Sequence, residues 1–177
     1  MAYFYKLLSQ RMGFKIIIMT SEAFPYGMAG TNRIISLAKG FISNGLQCEV
    51  ISFYKYAISG TDSPNPTEGN FEGVKFRNVF NSPYKSQYLA VRQFHEIAKP
   101  ILVLWAGLKT IDRNNVIIYY AEKTWPAVSL KLITLLRRAI ILREETEHPE
   151  IRTEGKGVIG KFLYKYLHYR LFDGLFV

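Results

Sequence analysis

Between Phe14 and Phe53 the hydrophobic positions change period twice, and each change marks the border of an element. Lys15-Ile16-Ile17-Ile18-Met19-Thr20 is a short continuous apolar run bounded by turn residues, the pattern of a parallel strand covered on both faces. Glu22 to Gly30 follows as a loop at the strand's carboxyl end. Ile34, Ile35, Leu37, Ala38, Phe41 and Ile42 then recur at helical spacing, so this segment is a helix with its apolar stripe turned to the sheet. Asn44-Gly45 ends it, and Cys48 to Phe53 returns as a second strand. A parallel return over a helix is a right-handed crossover almost without exception, which opens the first loop onto the ligand-binding edge of the sheet.

The same alternation continues. Ser59 to Gly73, rich in Gly, Ser, Pro, Asn and Thr, is expected as a surface loop with turns around Pro64 and Pro66. Val74 to Val79 alternates apolar and polar and predicts a short strand exposed on one face. Tyr84 to Asp112 is expected as helix with a break near Pro100, and Val116 to Tyr120 as a buried strand. Trp125 to Arg138 is expected as helix, with Pro126 in the first turn where its missing N–H costs little. Ala139 to Leu142 predicts a strand, Gly157 to Phe172 a helix, and Asp173 to Val177 a last strand. The fold class is therefore α/β, a doubly wound, mostly parallel Rossmann-like sheet with helices on both faces. Residues 1–13 read as an extension ahead of one domain over 14–177.

Composition narrows the function classes. A chain of 177 residues with 49% apolar content supports one core, and no apolar run approaches the roughly 18 residues of a membrane span. No signal peptide is recognisable at the amino end, so a cytoplasmic location is expected. Cys48, the single cysteine, sits in an apolar strand and reads as a buried small hydrophobe. A net charge of +9 favours phosphates, nucleic acid or an anionic membrane surface. The basic residues are dispersed and no RNA- or zinc-binding pattern accompanies them, which sets nucleic acid aside.

Two loops are expected to meet at the carboxyl edge. Gly27 and Gly30 precede a helix whose first turn holds Thr31, Asn32 and Arg33. Backbone N–H groups, the helix dipole and the Arg33 guanidinium can there receive a phosphate or carboxylate. The bland alternative is a tight turn whose glycines permit positive φ. The loop has neither the GxGxxG spacing of a dinucleotide fold nor the ending of a P-loop. In the second loop Glu144, Glu145, Glu147 and His148 crowd a strand end, where carboxylates can accept sugar hydroxyls or serve as a general base. A solvated acidic loop is the alternative there. A lone His among carboxylates gives no metal-ligand spacing. Lys161 to Phe172 mixes basic and aromatic side chains, as at a membrane interface, yet Phe162, Leu163, Tyr166, Leu167 and Leu171 equally form a core-facing stripe.

Four pieces, in this order, carry a resemblance over roughly Phe14 to Val177: the strand and loop Lys15 to Pro25; Ala29-Gly30-Thr31-Asn32-Arg33 followed by Leu37-Ala38-Lys39-Gly40-Phe41 and Gly45 to Val50; Glu144 to Pro149; and Phe172 to Val177. Together they resemble the amino-terminal, acceptor-side half of the family 4 glycosyltransferases, the retaining group with the two-Rossmann GT-B architecture. Ala29 stands in place of the first glycine of the family turn, and Asn32 in place of its acidic residue. The resemblance implies transfer of a sugar from a nucleotide-sugar donor to a glycan or lipid-linked acceptor, with no metal or other cofactor. It places Gly30, Thr31 and Arg33 on the donor-phosphate side and Glu144, Glu147 and His148 on the acceptor side. It also implies a carboxyl-terminal donor-binding domain that this stretch does not contain. Peripheral attachment to the inner face of a membrane is a separate expectation, from the basic-aromatic segment Lys161 to Phe172 and the net charge of +9. A non-catalytic α/β binding module that docks on a partner domain is the alternative. A dinucleotide-dependent oxidoreductase ranks last, because Ser52-Phe53-Tyr54-Lys55 supplies no ribose-binding acid.

Overall fold

The computed structural model describes residues 14–53, 66–79, 88–121, 124–145 and 169–176, with backbone alone at 89–97 and 99. Its elements are β1 (Lys15–Thr20), α1 (Ala29–Ser43), β2 (Gln47–Ser52), β3 (Glu68–Phe71), β4 (Val74–Asn78), α2 (Leu89–Thr110), β5 (Asn115–Tyr120), α3 (Thr124–Arg137), β6 (Ile140–Glu144), a 3-10 turn at Tyr169–Leu171, and β7 (Gly174–Phe176). The strands form one sheet in the order β3-β4-β2-β1-β5-β6-β7, parallel throughout except for β3. The chain is thus a mostly parallel, Rossmann-like α/β domain.

The apolar run of β1 explains its central place. Its four residues Ile16 to Met19 are all fully buried, two on each side of the sheet. Ile16 and Ile18 face Ile34, Ala38 and Phe41 of α1. Ile17 and Met19 face the opposite layer, where Val103 of α2 and Ala127, Leu130 and Ile133 of α3 pack. The winding direction reverses between β1 and β5, so the carboxyl ends of these two strands flank the topological switch point. Cys48 is buried beside Val50 in the α1-side core, as expected. No described helix is long and apolar enough to cross a membrane.

Several expectations need correction. Glu68 to Phe71, taken within a loop, pairs antiparallel with β4 through a two-residue turn at Glu72 (φ 51°) and Gly73 (φ 86°). Both central residues have positive φ, which suits the twist of a tight hairpin. Pro100 lies inside α2 without breaking it; the helix loses one backbone bond there, and packing of Val103, Ala106 and Gly107 against the neighbouring layer holds its later turns. Strand β6 extends two residues beyond Leu142, because Arg143 and Glu144 pair with both β5 and β7 or with β7 alone. Residues 1–13, the turns at Pro64, the start of the helix expected from Tyr84, and nearly all of that expected from Gly157 lie outside the described residues.

Candidate functional site

The loop after β1 is held by its carbonyls. Ser52 Oγ donates to Glu22 O (2.6 Å), Thr31 Oγ1 donates to Ala23 O (2.6 Å), and Asn78 Nδ2 donates to Phe24 O (2.8 Å). The donors come from β2, α1 and β4, so successive carbonyls are tied to different elements. At the start of the loop the Glu22 N–H donates to Thr20 Oγ1 (2.9 Å). The second Nδ2 bond of Asn78 goes to Pro66 O (2.6 Å) and ties the approach to β3 to the same point. A loop fixed this way presents its backbone at the carboxyl edge without ordering cost when a ligand arrives.

Gly27 and Gly30 are required by contact and not by φ. A Cβ on Gly27 would lie 1.8 Å from Thr31 Oγ1 and 2.6 Å from Ala23 O, so no other residue fits while the Thr31 bond exists. A Cβ on Gly30 would lie 2.9 Å from Cδ of Glu22, whose side chain rests against the first turn of α1. Positive φ at glycine occurs instead at Gly45 and Gly73 among the described residues. α1 begins behind Met28, with no side-chain cap and no acidic residue in its first turn. Thr31 is fully buried with its hydroxyl turned to Ala23, so that hydroxyl is committed to the loop. Proximity of Glu22 to this turn escapes sequence reasoning, because it depends on how the loop folds back.

Arg33 joins the two loops. Its guanidinium lies 2.8 Å from Glu144 Oε1 at the end of β6; the Arg33 side chain is half exposed and that of Glu144 is 3% exposed. Glu144 and Glu145 are buried, which corrects the picture of a solvated acidic loop for these two. On the other side of β6 the fully buried Arg143 pairs through Nε with Glu145 Oε2 (2.6 Å). Tyr169 Oη donates to the same carboxylate oxygen (3.2 Å), and the Arg143 guanidinium faces the rings of Tyr169 and Phe172 at 5.4 and 5.7 Å. Tyr119 stacks on Phe172 at 5.7 Å, and burial pushes its phenol well above the ordinary tyrosine value, against the opposing pull of Arg143. Nothing in the linear spacing announces this cluster, since its members come from three elements. Glu147 and His148 lie outside the described residues.

Beside the first loop, on the flank of α1, runs an open groove of about 530 Å³. Tyr26, Asn32, Ser36, Lys39 and Phe71 line it, and Lys39 Nζ closes one end by bonding Glu72 Oε2 at 2.8 Å. Tyr26 and Phe71 meet edge to face with ring centroids 5.5 Å apart. Compared with known protein families and with curated proteins, the chain matches no family model and no curated sequence.

Proposed function

We propose that this domain is the acceptor-side half of a retaining glycosyltransferase, which moves a sugar from a nucleotide-sugar donor to a glycan or lipid-linked acceptor. The observation that carries it is the junction at the carboxyl edge, where Arg33 at the start of α1 meets Glu144 at the end of β6. That junction lies beside the switch point of a doubly wound sheet, where ligands of such sheets bind. Gly30 and the first turn of α1, whose N-cap Met28 makes no side-chain bond, supply amides and a dipole to the departing diphosphate, and Arg33 supplies charge. Thr31 acts mainly as the pin that holds the loop. Glu144 and, from the sequence, Glu147 and His148 orient acceptor hydroxyls. The groove beside Tyr26 suits a sugar chain, with aromatic edges for the pyranose face and Asn32 and Ser36 for its hydroxyls. The donor's nucleotide is held mainly by a second domain, in the same protein or as a partner. A lipid-linked acceptor puts the enzyme on the cytoplasmic face of a membrane, and the +9 charge favours an anionic one.

The test is transfer from a panel of nucleotide sugars, assayed on the protein together with its donor-binding domain. Arg33→Ala removes a charge-assisted contact and is expected to lower turnover roughly 10- to 100-fold. Turnover of every donor unchanged in Arg33→Ala and in Gly30→Trp would contradict these roles. Binding of a partner domain with no sugar transfer at all would favour the non-catalytic module.

A further inference from the structure

Both helices on the side of the sheet away from α1 carry large apolar side chains on their outer faces. In α2 these are Ile101, Trp105 and Leu108, in α3 Trp125, Leu132 and Leu136. The spacings 101-105-108 and 125-132-136 each keep to one side of a helix, while Val103, Ala106, Leu130 and Ile133 fill the buried side. The second set is what the core requires. The first is in excess of it.

The two stripes belong to one surface. α2 crosses from β4 to β5 and α3 from β5 to β6, between parallel strands and on the same side of the sheet, so they run side by side in the same direction. They touch closely at Gly107, where an added Cβ would stand 2.5 Å from Ile133 Cδ1. Near their carboxyl ends, Arg137 reaches across and donates to Leu108 O at 3.4 Å. Trp125 and Leu136, 74% and 76% exposed, mark the two ends of the stripe on α3.

Among the described side chains, the charges around this surface have one dominant sign. α3 contains no acidic residue, and neither does α2 from Ala98 onward. Lys109 lies over the Trp105 ring at 3.7 Å, and Arg137 and Arg138 are exposed at the end of α3. Lys131 is already paired with Asp173 at 2.5 Å, and Asp112 stands beyond the end of α2, next to Arg113 in the chain. Exposed indoles among leucines, rimmed by cations, match a lipid interface in which rings sit at headgroup depth and ammonium and guanidinium groups meet anionic headgroups.

We propose that the outer face of α2 and α3 docks on an anionic lipid bilayer. The occupant is fixed by charge complementarity, because a second copy of the same face would oppose like charges. It deepens the membrane attachment proposed above and does not depend on sugar transfer. Trp105 and Trp125 would enter the headgroup region, with the sheet lying over the helix layer roughly parallel to the membrane and its carboxyl edge left open to the side.

The chain holds two tryptophans, both on this face, so tryptophan emission, excited beyond the tyrosine absorption, reports on the face alone. The experiment adds vesicles of phosphatidylglycerol, or of phosphatidylcholine, to the purified chain and follows emission and cosedimentation together. Expected are pelleting and a shift of emission to shorter wavelength with the anionic vesicles, quenching by lipids brominated along the acyl chain, and release by 1 M salt, where the screening length falls to about 3 Å. Leu132→Glu with Leu136→Glu is expected to lose at least roughly 10-fold in partitioning per leucine. Arg137→Gln with Arg138→Gln, which leaves the apolar face intact, is expected to lose roughly 30-fold. Pelleting without any change in emission would show attachment through another surface and overturn the assignment while membrane attachment stands. No pelleting at low salt would overturn both. A concentration-dependent emission shift without vesicles would show that a second copy covers the face, and would equally overturn it.

Discussion

Thr31, Ser52 and Asn78 each commit a side-chain donor to one carbonyl of the loop after β1, and this decides how that loop behaves. Thr31→Val keeps the shape and removes the donor, leaving the Ala23 carbonyl unsatisfied inside the protein. A loss of about 1–3 kcal/mol in urea unfolding is expected, and an unchanged midpoint would contradict the pin. Cys48 offers a second check. Burial, with a smaller push from Glu49, raises its thiol from 9.0 to about 12. The folded state therefore holds the thiol proton where the unfolded chain releases it. This contribution to stability is complete below pH 9 and is lost as pH rises from 9 to about 12. Native protein should resist iodoacetamide at pH 8, and rapid alkylation without unfolding would contradict its burial. Sequence alone marks Cys48 as buried and Gly30 and Arg33 as residues of interest. It does not show that Thr31 faces inward or that Glu22 rests against Gly30, since both depend on the path of the loop.

At the scale of elements, β6 differs most from its sequence pattern. The apolar run ends at Leu142, yet the strand continues through Arg143 and Glu144 because β5 and β7 supply pairing partners. An arginine on a fully buried strand position is tolerated only because Glu145 and two aromatic rings surround it. Arg143→Ala leaves the Glu145 carboxylate buried without that partner and is expected to cost about 3–5 kcal/mol by denaturant unfolding. Arg143→Met combined with Glu145→Leu should cost far less, and equal losses would show that charge pairing is not the reason for the cluster. The β3–β4 hairpin was hidden for a related reason. Its strand is Glu-Gly-Asn-Phe, poor in β-forming residues, and its turn Glu72-Gly73 departs from the usual Asn-Gly signal. Gly73→Ala forces a Cβ into positive φ and should destabilise by about 1–2 kcal/mol. By contrast β1, α1, β2, β5 and α3 were legible, because each follows a single period with turn residues at its ends.

At the scale of the molecule, the sheet separates two surfaces of different chemistry. One edge gathers the start of α1, Arg33 and the buried carboxylates at the end of β6, and one side presents indoles and leucines among cations. The sequence made the mostly parallel sheet and its carboxyl edge legible through the alternation of strands and helices. The apolar side was not legible as exposed, because outward leucines on α2 and α3 look like core in a linear pattern. The most direct measurement is of where ligands bind: backbone amide resonances of isotopically labelled protein, followed while a nucleotide sugar and then a glycan acceptor are added. Saturable shifts at Gly30 to Arg33 and at Glu144 and Glu145, weakened by Arg33→Ala, are the expected result. Saturable shifts confined to the outer face of α2 and α3 or to the amino-terminal edge of the sheet, with the carboxyl edge silent, would contradict a transferase site there.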